Sequence, residues 1–150
     1  MIIRNATLEE LKSVHDIEVL CFNEGSYPLF VLRQLLDISN DYFLVAEHDN
    51  QILGYAIGNI VNGYDQSWIL SLGVHPQARG KQVGKELTKK LIFLLEANNS
   101  KEICLTVHPD NFSAIKIYEQ FGFEIFLESN NYYLDGDARF LMKRKGVSSR

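Results

Sequence analysis

Val74-His75-Pro76-Gln77-Ala78-Arg79-Gly80-Lys81-Gln82-Val83-Gly84-Lys85-Glu86-Leu87 decides how the rest of this chain folds. The apolar segment before it, Trp68 to Val74, has the makeup of a strand and runs into a turn at Pro76. Beyond the turn, Val83, Leu87, Leu91, Leu94 and Leu95 recur at helical spacing. A strand, a glycine-bearing turn and a helix start can together bind an anion. The first N–H groups of a helix have no partner within it, and the helix dipole places partial positive charge there. Gly84 lets a ligand approach the backbone closely, and Arg79, Lys81 and Lys85 add full charges. A diphosphate on residues 79–85 fits this pattern. An ordinary strand-to-helix turn with solvated basic side chains fits it equally well, because a glycine pattern is a weak signal without context.

On the N-terminal side, Ile2 to Arg4 predicts a short strand. Thr7 and Glu10 form a capping box that starts a helix, with Leu8, Leu11, Val14, Ile17 and Cys21 on its inner face. Asn23-Glu24-Gly25-Ser26 breaks that helix. Ser26 and Pro28 start a second one that reaches about Ile38 and buries Phe30, Leu32, Leu35 and Leu36. Asp41 to Glu47 and Ile52 to Ile60 predict antiparallel strands around the turn His48-Asp49-Asn50. Gly54 and Gly58 leave room there for close packing or a ligand. Asn62 and Gly63 mark a further turn before a third strand, Ser67 to Val74.

On the C-terminal side, Asn98-Asn99-Ser100 ends the long helix and Glu102 to Val107 predicts a strand. The helical crossover makes it parallel to Ser67–Val74. His108-Pro109-Asp110-Asn111 is a turn with a strong helix cap. Ala114, Ile115, Tyr118 and Phe121 then line one helical face, and Gly122 supplies a left-handed end. Phe123 to Leu127 and Arg139 to Met142 predict strands joined by a long hairpin containing Asp135-Gly136. The sum is an α+β fold, with a mixed, mostly antiparallel sheet of roughly six to seven strands flanked by about four helices. One domain is expected over residues 1–150, with about 144–150 as a flexible tail.

Composition narrows the class. A chain of 150 residues, 46% hydrophobic and 23% charged, suits one soluble globular domain with a real core. The net charge of −4 argues against nonspecific binding to nucleic acid or to anionic membranes. The basic residues Lys143, Arg144, Lys145 and Arg150 are expected to be frayed and solvated. Acids near the N-terminus argue against a signal peptide, and the apolar run Leu91 to Leu95 is too short to cross a bilayer. Cys21 and Cys104 lie in apolar surroundings, as buried free thiols of a cytoplasmic protein do. The four histidines lack metal-ligand spacing, so no metal is expected.

The second informative stretch is Asn111-Phe112-Ser113-Ala114-Ile115-Lys116-Ile117-Tyr118-Glu119-Gln120-Phe121-Gly122-Phe123. Two parallel strands each ending at a helix N-terminus, side by side, mark where α/β ligands bind. Spacing alone would make Tyr118 a core aromatic. The stretch resembles, however, the Asn-x-x-Ala-x-x-x-Tyr-x-x-x-Gly-Phe motif of the GCN5-related N-acetyltransferases. Arg79 to Gly84 resembles that family's pyrophosphate motif, a Gln or Arg, two residues, Gly, one residue, then Gly or Ala. The resemblance covers nearly the whole chain. It implies a splayed parallel strand pair holding acetyl-CoA, with no metal. Pantetheine would lie along Leu72-Gly73-Val74, phosphates on Arg79, Gly80, Lys81, Gln82, Val83, Gly84 and Lys85, and further contacts would come from Asn111, Ala114 and Tyr118. Backbone N–H groups of the strand edge would polarise the thioester carbonyl.

Two further segments are similar to RimI/Ard1-type protein N-terminal acetyltransferases: Ile17 to Phe22 with Ser26, Tyr27 and Phe30, and the hairpin Asn131-Tyr132-Tyr133-Leu134-Asp135-Gly136-Asp137-Ala138. That likeness implies a protein or peptide N-terminus as acceptor, flanked by Phe22, Glu24, Tyr27, Thr106, Tyr132 and Tyr133, in a monomer or homodimer. Two positions depart from the pattern. Gln82 stands where the phosphate motif usually has a glycine, and its backbone N–H is expected to face the phosphates. Thr106 stands where RimI-like enzymes carry a glutamate base and some relatives a histidine. A free α-amine, with a pKa of ~7.7–8, is already roughly a tenth neutral at pH 7, whereas a lysine at ~10.4 is neutral only a few parts in ten thousand. Thr106 therefore suits an α-amine, with Glu24, or His108 through water, as candidate bases. Tyr118 would stabilise the departing thiolate by hydrogen bonding. Two alternatives stand beside this one: acetylation of a small amine such as a polyamine or aminoglycoside, and a noncatalytic acyl-CoA sensor.

Overall fold

Phe43-Leu44-Val45-Ala46 has no polar residue on either face, the pattern of a strand covered on both sides. In the computed structural model it opens strand β2 (Phe43–His48), and all four of these residues are buried. The structure describes residues 1–61 and 65–146; the expected turn at Asn62 and Gly63, and Arg150, lie outside these. The other elements are β1 (Ile2–Asn5), α1 (Leu11–Phe22), α2 (Leu29–Ile38), β3 (Gln51–Val61), β4 (Gln66–Val74), α3 (Val83–Ala97), β5 (Glu102–Val107), α4 (Phe112–Gln120), β6 (Glu124–Ser129) and β7 (Arg139–Lys145). The strands form a seven-stranded sheet of order β1-β2-β3-β4-β5-β7-β6. The pairs β1·β2, β2·β3, β5·β7 and β6·β7 are antiparallel and β4·β5 is parallel. The parallel register runs from Gln66↔Glu102 to Ile69↔Leu105, after which β4 continues to Val74 and β5 to Val107.

The chain divides into two compact units, Met1–Gly58 with Ser71–Leu91 and Asn59–Leu70 with Ile92–Arg150. In the first, Leu11, Val14 and Ile17 of α1, Leu32 and Leu36 of α2, β2, the Tyr55–Ile57 segment of β3, and Val83, Leu87 and Leu91 of α3 are buried. The β2–β3 turn uses Asp49 and Asn50, both left-handed (φ 51° and 61°), the conformation that matches strand twist in a two-residue hairpin. A Cβ on Gly54 would stand 2.8 Å from the Gly73 carbonyl oxygen and 3.1 Å from Val83 and Leu87. The room at Gly54 therefore serves close packing of α3 and β4. Arg4 holds the first strand: it donates to Glu47 and Glu10, and this pairing, with the Thr7 N–H donating to Glu10 at 2.9 Å, holds the Glu10 carboxyl below its usual range.

In the second unit, Ile69, Ile92, Leu95, Ile103, Leu105, Val107, Tyr118, Phe123, Leu141 and Met142 are buried. Three expectations need correction. Leu8 lies in a 3₁₀ turn (Leu8–Glu10) that precedes α1 and is 50% exposed, because the capping box starts that turn and not the α-helix itself. Phe30 is 65% exposed, since α2 buries only the stripe through Leu32 and Leu36. Finally, Arg144 and Lys145 are no tail: β7 continues to Lys145, pairing Arg144 with Ile103 and Lys145 with Glu102. Arg144 also bonds Glu96 at 3.1 Å and donates to the Phe121 carbonyl at 2.6 Å.

Candidate active site

The loop after β4 is shaped by its turns. The His75 N–H donates to the Leu53 carbonyl at 2.8 Å, extending the sheet pairing past Val74. Pro76–Ala78 form a 3₁₀ turn capped by His75, whose Nδ1 accepts the Gln77 N–H at 3.1 Å. Ala78 is buried and pins the turn, while Arg79, Gly80, Lys81, Gln82 and Lys85 are exposed. Gly80 and Gln82 are left-handed, with φ 80° and 65°. The Gln82 carbonyl accepts the Glu86 N–H at 3.0 Å, so Gln82 stands at the threshold of α3. This explains the usual glycine there. A glycine adopts that conformation freely, whereas a residue with a Cβ is strained by about 1–2 kcal/mol. The N–H groups of Val83, Gly84 and Lys85 follow as the open end of a 15-residue helix.

Cys21 sits beside this loop, half-buried. Its thiol donates to the Val74 carbonyl at 3.4 Å, and the Arg79 guanidinium lies 3.8 Å from the sulfur. The other thiol, Cys104, is pushed up to about 11 by burial first and Glu102 second, which keeps it inert.

Phe22 ends α1 and is half-buried; Asn23 turns left-handed (φ 49°), and Glu24 is exposed in the short 3₁₀ turn Asn23–Gly25. Tyr27 follows, half-buried, its N–H donating to Glu18 Oε2 at 2.8 Å. Glu18 Oε1 accepts the Tyr55 hydroxyl and, at 3.0 Å, the Ser71 hydroxyl. Burial first, and the Glu18 charge second, push the Tyr55 phenol above its ordinary range, so it remains a donor. The expected site included Tyr27 but omitted Glu18, Tyr55 and Ser71. One signal for the cluster was present: Glu18 lies four residues after Val14 and seven after Leu11, an acid on the apolar stripe of α1.

In the second unit, Asn111 caps α4 as expected, its side-chain oxygen accepting the Ala114 N–H at 3.3 Å. Tyr118 is 5% exposed and packs its ring against Phe123, centroids 5.6 Å apart; burial raises its phenol above the ordinary range. Such a group stays protonated at any working pH and acts as a hydrogen-bond donor. Thr106 on β5 shares a hydrogen bond with the Tyr133 hydroxyl at 2.8 Å. Tyr132 meets Tyr133 edge-on at 4.9 Å, and the Arg139 guanidinium lies 5.4 Å from the Tyr133 ring centre. His108 Nδ1 accepts the Asp110 N–H at 3.0 Å, so in the neutral imidazole the proton resides on Nε2. Its basic nitrogen is thus already engaged. Among the described residues no cluster of His, Cys, Asp and Glu could hold a metal, and no helix is long and apolar enough to cross a membrane.

The chain has relatives among known proteins. The acetyltransferase (GNAT) family model matches residues 11–123. The chain is 37% identical over 136 residues to the N-terminal acetyltransferase B complex catalytic subunit NAA20 of Arabidopsis thaliana, a match covering 85% of this chain and 72% of that protein. It is 28% identical over 151 residues to an N-alpha-acetyltransferase of Sulfurisphaera tokodaii, covering 93% and 90%. Among solved structures, Ard1 from Thermoplasma volcanium shares the fold with a TM-score of 0.89 at 25% identity, covering 97% of each chain. A match over most of the chain, on a fold with the same seven strands and single parallel pair, places this protein in the acetyltransferase (GNAT) family of acetyl-CoA-dependent acyltransferases.

Proposed function

We propose that the enzyme transfers the acetyl group of acetyl-CoA to the N-terminal α-amine of a protein or peptide. The observation that carries this is the Thr106–Tyr133 pair, two hydroxyls 2.8 Å apart where RimI-like enzymes carry a glutamate. The pair puts hydroxyls where those enzymes place a carboxylate base. Such a site suits an amine that is partly neutral on arrival, which an α-amine is and a lysine is not. The relatives named as N-terminal or N-alpha acetyltransferases support the same acceptor.

In this mechanism the N–H groups of Val83, Gly84 and Lys85 and the side chains of Arg79 and Lys81 hold the diphosphate, with Gly80 and Gln82 shaping the turn. Pantetheine lies along Leu72-Gly73-Val74, and Asn111 and Ala114 belong to the cofactor set. The acceptor is flanked by Phe22, Glu24 and Tyr27 and by Thr106, Tyr132 and Tyr133. The neutral amine attacks the thioester carbon, the C–S bond breaks, and the sulfur leaves as a thiolate that accepts the Tyr118 hydroxyl proton in a hydrogen bond. The proton released by the amine passes to water, with Glu24 as the candidate side-chain acceptor and His108 ranked behind it. The free thiols fit a cytoplasmic location, which we also propose.

A thiol-release assay tests the acceptor. N-terminal peptides with free and blocked α-amines, lysine peptides and small polyamines are compared. Activity lost on blocking the α-amine is expected. Activity on polyamines alone would overturn the acceptor, and binding of acetyl-CoA without release against every amine would identify a sensor.

A further inference from the structure

Glu18 is a carboxylate 2% exposed that the mechanism above leaves without a task. A buried carboxylate is tolerated only when hydrogen bonds replace its water. Its two oxygens divide their partners. Oε1 takes the hydroxyls of Tyr55 on β3 and Ser71 on β4, and these two hydroxyls lie 3.0 Å apart. Oε2 takes the backbone N–H of Tyr27 at 2.8 Å. Tyr27 closes the segment that carries Glu24, and Ser71 immediately precedes Leu72-Gly73-Val74. One side chain therefore ties the 23–27 segment to the strand assigned to the thioester. The tie is to the main chain of Tyr27, so it fixes where the segment lies whatever its side chains are.

We propose that Glu18 is a positioning residue for the acceptor: it holds the Glu24–Tyr27 segment at a fixed height against the end of β4. Through it the amine is brought to the thioester carbon. This rests on the acceptor assignment of the preceding subsection. The chemistry of the network predicts how substitutions differ. Glutamine keeps one oxygen for the Tyr27 N–H, and its NH2 can donate to Ser71 and Tyr55, whose hydroxyls can turn to accept. Alanine removes every contact and leaves the Tyr27 N–H without its partner.

The test measures steady-state kinetics with an α-amine peptide, together with equilibrium binding of acetyl-CoA to the free enzyme, for Glu18→Ala and Glu18→Gln. Misplacement of the acceptor predicts a fall in kcat/KM for the peptide of about tenfold or more in Glu18→Ala. The acetyl-CoA Kd stays within about twofold, since the cofactor loop is untouched. Glu18→Gln recovers most of the loss. Should Glu18→Ala not fold, Glu18→Asp carries the same test, because its shorter side chain cannot reach Tyr27 and Ser71 together. A weakened acetyl-CoA Kd, a glutamine variant as impaired as alanine, or wild-type peptide kinetics in Glu18→Ala would each overturn the proposal. A wild-type enzyme that acts equally on α-blocked peptides would instead overturn the acceptor assignment, a result read without any Glu18 variant.

Discussion

At the scale of single residues, Tyr118 and Gln82 show how position changes what a side chain can do. Tyr118 is buried, and its ring does pack on Phe123. Its phenol, raised by burial, is a weaker acid than a free one. Complete proton transfer to a thiolate of pKa ~8.5 is therefore uphill, so the role proposed for Tyr118 is a hydrogen bond to the leaving sulfur. Tyr118→Phe is expected to slow kcat by about tenfold or more, with the acetyl-CoA Kd retained. An unchanged kcat in single-turnover assays would remove Tyr118 from the mechanism. Gln82 was recognisable in the sequence as an irregularity, but its cause was not. Only the backbone shows that the position is left-handed, and that a glutamine there bears strain which a glycine would avoid.

At the scale of elements, the helices and strands were legible wherever an apolar period ran without interruption. β5 was expected at Glu102 to Val107 and lies there; α3 was expected from its leucine stripe and runs Val83–Ala97. Legibility failed where a tertiary partner decides. The basic cluster at Lys143 to Lys145 looks like a solvated end, because nothing nearby in sequence offers it a partner. Its partners are remote: Arg144 bonds Glu96 at the end of α3 and the Phe121 carbonyl at the end of α4. Both members of the ion pair have side chains about one-fifth exposed, at 21% each, so the pair is partly shielded from water. Arg144→Met is expected to lower unfolding free energy by about 1–3 kcal/mol, as losing a shielded charged hydrogen-bond partner does. Lys145→Met, one residue on and exposed, should stay within about 0.5 kcal/mol. Urea denaturation of the two variants separates a staple from a frayed end, which would show no difference between them.

At the scale of the whole molecule, the class and the cofactor were readable because two motifs on separate helices agreed, one at residues 79–85 and one at 111–123. The side proposed for the acceptor was less readable, because the contacts around it join distant segments. Glu18 reaches Tyr27, Tyr55 and Ser71 across loops of very different length, and Tyr133 reaches back to Thr106. The apolar stripe of α1 marks Glu18 as an acid out of place, but no local pattern names the partners of Glu18 or of Thr106. The Thr106–Tyr133 contact also has a consequence for how the enzyme responds to its medium. If, as proposed, the amine's proton passes to water beside these two hydroxyls, and the Tyr118 phenol stays protonated, the ionising group expected to control the rate near neutrality is the acceptor's own ammonium. Activity against pH should trace the titration of the peptide's own terminal ammonium, rising with a midpoint of ~7.7–8 for an ordinary α-amine. Changing the first residue to one with a more acidic ammonium should slide the whole curve down in pH by the same interval. A midpoint that stays put when the peptide changes would return the controlling proton to the enzyme.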